Sequence, residues 1–154
     1  MASTFEKLQL KDQKQIVVLN APHSFEPELA RVKNVSVLRS ADDARDIEFV
    51  LAFVSTEKEV DALVRTIAKR SKGDTVVWFA YPKASSKKYH CEINRDTGWN
   101  ALGTAGFEAV RMVAIDEDWS AKRYRRVEYI KTMRRGEEHA MTAAGKALAA
   151  KKRD

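Results

Sequence analysis

The sequence predicts an open, mostly parallel α/β sheet of about six strands, ending in an antiparallel hairpin and carrying helices on both faces. Three observations lead there. Short β-branched runs alternate with helical patterns along most of the chain. The runs FVLAFV and VVWFAY are apolar at every position, as strands covered on both faces require. Only the five residues DEDWS separate the last two strand-like runs, too few for a parallel crossover, so those two runs pair as a hairpin.

The elements follow in order. QIVVLNAP, 15–22, is a β-branched run stopped by Asn-Ala-Pro and reads as the first strand. SFEPELARVK, 24–33, is a short helix with Ser24 as N-cap, Pro27 in its first turn, and Leu29 and Val32 on one face. VSVLRS, 35–40, and IEFVLAFV, 47–54, are the next strands. The clearest helix follows, because Val60, Leu63, Val64, Ile67 and Ala68 form one apolar stripe. Thr56 and Glu59 have capping-box spacing at its start, and Gly73 after Lys69, Arg70 and Lys72 reads as its stop. DTVVWFAYP, 74–82, is a strand. NRDTGWNALGTAG, 94–106, is a short helix capped by Asn94 or Asp96 and stopped by Gly106. Its Gly98 and Gly103 weaken it by about 1 kcal/mol each relative to alanine. FEAVRMVAI, 107–115, and AKRYRRVEYI, 121–130, complete the hairpin.

The chain has 154 residues, 44% of them hydrophobic and 32% charged, which fits one globular domain rather than a disordered chain. That domain is expected over 1–135, with 136–154 as a basic, alanine-rich and weakly helical or mobile tail. A single cysteine, Cys91, excludes an intrachain disulfide and matches a reducing cytosol. Charges occupy the start of MASTFEKLQLKDQK where a signal peptide needs an apolar run, and no apolar run reaches the length of a membrane span. The expected location is therefore cytoplasmic, with no membrane partner. The net charge of +6 is uneven: residues 121–154 hold 11 Lys/Arg against 4 Asp/Glu, and the rest hold 17 against 18. Such a basic end keeps a protein soluble, and it also attracts nucleic acid or an acidic protein.

Two resemblances bear on the fold. The last five strands and their helices resemble the C-terminal half of the Rossmann-like sheet of class I, S-adenosylmethionine-dependent methyltransferases, which also ends in an antiparallel hairpin. The segments VLNAP (18–22), LAFV (51–54), VVWFAYPK (76–83), INRDTGW (93–99), VAIDEDWSAKRYR (113–125) and VEYIKTM (127–133) resemble, in this order over about residues 5–135, a family of small bacterial proteins of uncharacterised activity. The first resemblance implies a cofactor loop after strand one and insertion of strand 121–130 between two others. The residues depart from both implications. LNAPHSFEPE holds no glycine where a backbone must approach a cofactor, and its proline has no N–H to donate. Lys122, Arg123, Arg125 and Arg126 suit an edge strand better than an interior one.

Candidate chemistry gathers after the strand at 74–82. Ligands of open α/β sheets sit beyond the carboxyl ends of the strands. Asn20, Ser55, Tyr81, Lys83, Ser85, Ser86, Lys87 and Lys88 all fall there. Hydroxyls, ammonium groups and backbone N–H groups in the loop after Pro82 offer a site for a small anionic ligand. The plainer reading is a solvated basic loop. Asp116, Glu117 and Asp118 offer a cation site or general acid–base groups, or else simply a charged turn with Trp119 over the core edge and its carboxylates paired to Arg123 or Arg125. His23, His90 and His139 lack metal-ligand spacing, so no metal is expected. Cys91 lacks a neighbouring base and reads as a half-buried thiol. Trp78 and Trp99 read as core. The expected function is a ligand-binding domain with its site at Asn20, Tyr81, Lys83, Ser85, Ser86 and Lys87. The alternatives are an interaction module acting through the basic end, and a diverged methyltransferase.

Overall fold

A computed structural model describes residues 4–93 and 98–130. A helical turn, α1 (Thr4–Lys7), precedes strand β1 (Gln15–Leu19). A 3-10 turn at His23–Phe25 leads into helix α2 (Glu26–Ala30), then strands β2 (Ser36–Leu38) and β3 (Ile47–Phe53). Helix α3 (Glu57–Arg70), strand β4 (Ser71–Pro82), helix α4 (Asn100–Thr104) and the hairpin β5 (Phe107–Ala114) and β6 (Trp119–Arg126) follow. They form one six-stranded sheet in the order β2-β1-β3-β4-β6-β5. The first four strands in that order run parallel, and β6 is antiparallel to both β4 and β5.

Strand alternation divides the core into two layers. Val17, Val50, Ala52, Val77, Phe79 and Tyr81 face α3 and α4, together with Trp99 and Leu102. Ile16, Val18, Phe49, Leu51, Phe53, Val76 and Trp78 face α1 and α2, where Phe5, Leu8, Phe25 and Leu29 cover them. The runs that were apolar at consecutive positions are thus the ones covered on both sides, and Trp78 and Trp99 are buried as expected. The buried Trp78 indole also donates to the Leu8 carbonyl at 2.8 Å, which pins α1 to the sheet.

The long helix keeps its predicted start. The Thr56 hydroxyl accepts from the Glu59 N–H at 3.1 Å, and the Glu59 carboxylate accepts from the Thr56 N–H at 3.1 Å. Within its stripe Val60, Val64 and Ile67 are buried, while Leu63 and Ala68 lie at the margin. Its end differs from the expectation. The helix stops at Arg70, Ser71 is already extended, and β4 begins there. Gly73, at φ +68°, lies inside β4, where the β3 partners jump from Ser71 at Ile47 to Val76 at Phe49. The glycine serves this bulge rather than the helix stop.

Four further expectations are corrected. Ser24 caps nothing with its side chain, because the chain enters α2 through a 3-10 turn. The predicted helix at 94–106 is confined, among the described residues, to Asn100–Thr104; Asn94 and Asp96 lie outside the described residues. Gly98 precedes that helix at φ +97°, so it does not weaken it, and Gly106 at φ +91° is the expected stop. Strand β6 lies inside the sheet, not at its edge. Three of its four cations are accommodated one by one. The Lys122 ammonium is buried 5.3 Å from the Trp99 ring centre. Arg125 makes a bidentate bond to Asp74 at 2.8 and 2.7 Å. Arg126 donates to the Gly73 and Ser71 carbonyls at 2.8 and 3.0 Å and to that of Ala68 at 3.4 Å, on the negative end of the α3 dipole. The tail at 136–154 lies outside the described residues, and no described helix is long and apolar enough to cross a membrane.

Candidate functional site at the end of β4

The chain leaves β4 at Pro82 and immediately meets the β5–β6 turn. The Lys83 N–H donates to the Asp118 carbonyl at 2.7 Å. A turn follows in which the Ser86 N–H donates to the Lys83 carbonyl at 2.9 Å. The Ser86 hydroxyl donates to Asp118 Oδ1 at 2.8 Å and accepts from the Tyr89 N–H at 3.2 Å. At the far end of the loop, the Glu92 N–H donates to the Ser55 carbonyl at 2.9 Å, beyond β3. The cationic segment is therefore tied down at both ends and in its middle, which a merely solvated loop does not require.

Between this loop and the hairpin lies a cleft of about 770 Å³. Tyr81, Pro82, Lys83, Ser86, Tyr89, His90, Cys91, Glu92, Ile93, Met112 and Ser120 line it. Of the residues expected from sequence, Tyr81, Lys83 and Ser86 converge there. Ser85 and Lys87 are exposed on the same loop and do not line it. Asn20 does not join them. It follows β1, which β3 separates from β4, so strand spacing alone sets it about 10 Å from the end of β4. Asn20 instead adopts φ +58°, a left-handed conformation that asparagine tolerates.

The electrostatics are cationic at one lip. Among the described residues, Lys83, Lys87 and Lys88 make no ion pair. The cleft floor is apolar and aromatic, with Tyr81 packed edge-on to Trp99 at 5.4 Å. Cys91 donates to the Ile93 carbonyl at 2.9 Å. Burial pushes its thiol up, against the lowering by that bond, and the Glu59 and Glu92 carboxylates push it further. A protonated thiol is a poor nucleophile. The acidic turn is occupied by its own structure: Asp116 Oδ1 accepts from the N–H groups of Asp118 and Trp119 at 2.8 and 2.9 Å. Trp119 packs over the core edge as expected, but Arg125 pairs with Asp74 instead of this turn.

Sequence reasoning missed His90 and Glu92 as cleft residues because it weighs His90 only as a metal ligand and singles out no role for Glu92. It missed Met112 and Ser120 because they come from the hairpin. Their placement follows from register: Ser120 opposes Tyr81 across β4–β6, and Met112 opposes Lys122 across β5–β6.

With this geometry in place, the chain is similar in architecture to several solved structures. It matches a SAM-dependent methyltransferase from Aquifex aeolicus with a TM-score of 0.56 at 13% identity, covering 79% of this chain and 87% of that one. It matches the pyocyanin biosynthetic protein PhzM at 0.53 and 13%, covering 80% of this chain and 54% of that one. A Haemonchus contortus phosphoethanolamine N-methyltransferase matches at 0.52 and 8%, covering 82% of this chain and 38% of that one. The fold is that of the class I methyltransferases. No family model and no curated protein matches the chain. The methyltransferase-like frame explains the interior position of β6, which the resemblance implied and the strand's charges argued against. In this frame the strand order reverses between β1 and β3, so the usual ligand crevice lies at Asn20 and Ser55. The cleft described above opens beside it, at β4 and β6.

Proposed function

We propose that the chain is a ligand-binding domain that takes a small amphipathic anion in the cleft at the end of β4. The observation that carries this reading is the convergence of Lys83, unpaired among the described residues, with Tyr81, Tyr89, His90, Met112 and Ile93 around one cleft. Lys83 supplies charge and His90 a ring N–H donor for an anionic group, and the aromatic and thioether side chains receive an apolar or aromatic body. Ser86 orients the loop rather than the ligand, because its hydroxyl is already committed to Asp118 and to the Tyr89 N–H. The loop after β1 offers less to an anion, since it has no glycine and Pro22 lacks an N–H.

The test is a thermal-shift screen of phosphate- and carboxylate-bearing aromatic compounds. A ligand at a hundredfold its Kd stabilises the folded state by about 2.7 kcal/mol, or about 5–10 °C for a domain of this size. Lys83→Ala combined with His90→Ala removes that shift, whereas Lys87→Ala preserves most of it. Loss with Lys87→Ala alone, or no effect of the double substitution, overturns the assignment.

A second reading, a diverged methyltransferase, draws support from the fold. It requires S-adenosylmethionine to bind near Asn20 without a glycine-rich loop. Calorimetry that finds a micromolar or tighter constant establishes it, and the proposed reading expects none. An interaction role for the basic end is a third reading, and it rests chiefly on residues outside the described ones.

A further inference from the structure

The face of the β5–β6 hairpin opposite the cleft carries arginines that the reading above does not use. Side chains alternate along the strands, so Met112, Ser120 and Lys122 turn to the α4 side, and Arg111, Arg123 and Arg125 turn to the α1 side. Arg125 is satisfied by Asp74. Arg123 is not. It is half-buried; among the described residues, its one hydrogen-bond partner is the neutral side-chain oxygen of Gln9, and its Nε is buried with no acceptor. Arg111 is exposed. Among the described residues, no carboxylate lies within ion-pair distance of either arginine.

The register makes this arrangement costly. Arg111 and Arg123 are directly opposed across the antiparallel pair. Opposed residues stand about 5 Å apart at Cα, and like charges in that position repel. Burial, and then the charges of Arg125 and Arg111, depress the Arg123 guanidinium, with Asp74 acting in the opposite direction. A side chain serving stability alone would be apolar here or paired.

We propose that Arg111 and Arg123 form a phosphoryl-binding site on the face of the sheet opposite the cleft. A multi-oxygen anion between the two guanidinium groups removes their repulsion, and paired forks of this kind suit phosphate geometry. A free phosphoryl compound and the backbone of a nucleic acid offer the same group, and the test distinguishes them.

The readout is the Arg123 Nε–H signal in proton–nitrogen correlation spectra of the full chain. It is titrated with inorganic phosphate, and separately with a short single-stranded oligonucleotide, against sodium chloride of matched ionic strength. Phosphate is expected to shift the signal saturably, and Arg111→Gln to weaken binding about tenfold, the loss of one charge-assisted bond. Since Arg111 is exposed and repelled, Arg111→Gln without ligand is expected to melt no lower than wild type. Equal affinity per phosphate for both probes identifies a free phosphoryl ligand, and much tighter, salt-dependent binding of the oligonucleotide identifies a polymer. No saturable shift up to about 20 mM phosphate, ample for a millimolar site, overturns the proposal. So does binding that Arg111→Gln leaves unchanged, or a marked drop in its unliganded melting temperature.

Discussion

Ser86→Ala tests whether the cleft loop is held as described. The substitution removes two hydrogen bonds at once, the donation to Asp118 Oδ1 at 2.8 Å and the acceptance from the Tyr89 N–H at 3.2 Å. A bond to a charged partner contributes about 1.5–3 kcal/mol and a neutral one about 0.5–1.5 kcal/mol. Both are half-buried here, so the lower ends apply and the expected loss is about 2 kcal/mol. In a domain of this size that lowers the melting temperature by about 4–8 °C. The backbone bond from Lys83 to Asp118 survives the substitution, so the β4–β6 register persists. The assay is denaturant unfolding together with hydrogen exchange at the Tyr89 amide, which loses its acceptor and should exchange faster. Asp118→Asn keeps an acceptor but removes its charge, and is expected to cost about half as much. The double variant should then cost less than the sum of the two, by about 1 kcal/mol. A melting temperature within about 1 °C of wild type, combined with unchanged Tyr89 exchange, refutes the account of the loop.

Val64→Asp buries an unpaired charge in the α3 seam and should cost about 4 kcal/mol, while Leu63→Asp, at the margin, should cost about 1–2 kcal/mol; equal losses in urea unfolding would show the helix face misassigned. Gly98→Ala places a Cβ against the Ile93 side chain at φ +97°, so it should destabilise by about 1–3 kcal/mol. It should also disturb the Ile93 wall of the cleft; a neutral result by thermal melting contradicts the close approach. Burial holds the Cys91 thiol protonated, so its alkylation by iodoacetamide should lag an unstructured cysteine at mildly alkaline pH. The same upward shift makes the unfolded thiol ionise first. Its contribution to stability is therefore complete below the ordinary thiol range and is lost as pH rises through the raised folded value. A Cys91→Ser variant with an identical alkaline stability profile would count against it.

Sequence located the sheet well where the signal was local. FVLAFV and VVWFAY read as two-sided strands because every residue is apolar, and they proved to be the central pair β3 and β4. The capping box at Thr56 and Glu59 read correctly because both partners lie within one turn. Errors arose where the deciding contact is distant. Lys122 looked like an edge residue because the aromatic ring beneath it, Trp99, lies 23 positions away in the chain. Gly73 looked like a helix stop because glycine has the same left-handed signature in a bulge, and only the register against β3 distinguishes them.

The same distinction governs the site. The loop after Pro82 was visible as a composition change, but its opposite wall is built by Met112 and Ser120 from the hairpin. Only the insertion of β6 beside β4 brings that wall into place. Had β6 been the edge, Ser120 would not oppose Tyr81, and Asp118 would not meet Lys83 and Ser86. The topology thus does more than arrange the core. It carries the β5–β6 turn to the carboxyl end of β4, closes the basic loop over an aromatic floor, and leaves Asn20 two strands away at the usual crevice. On the proposed reading, the chain keeps a methyltransferase-like frame but binds its ligand further along the sheet, at β4 and β6. There the donors come from side chains of an ordered loop rather than from the glycine-rich backbone that the β1 loop lacks.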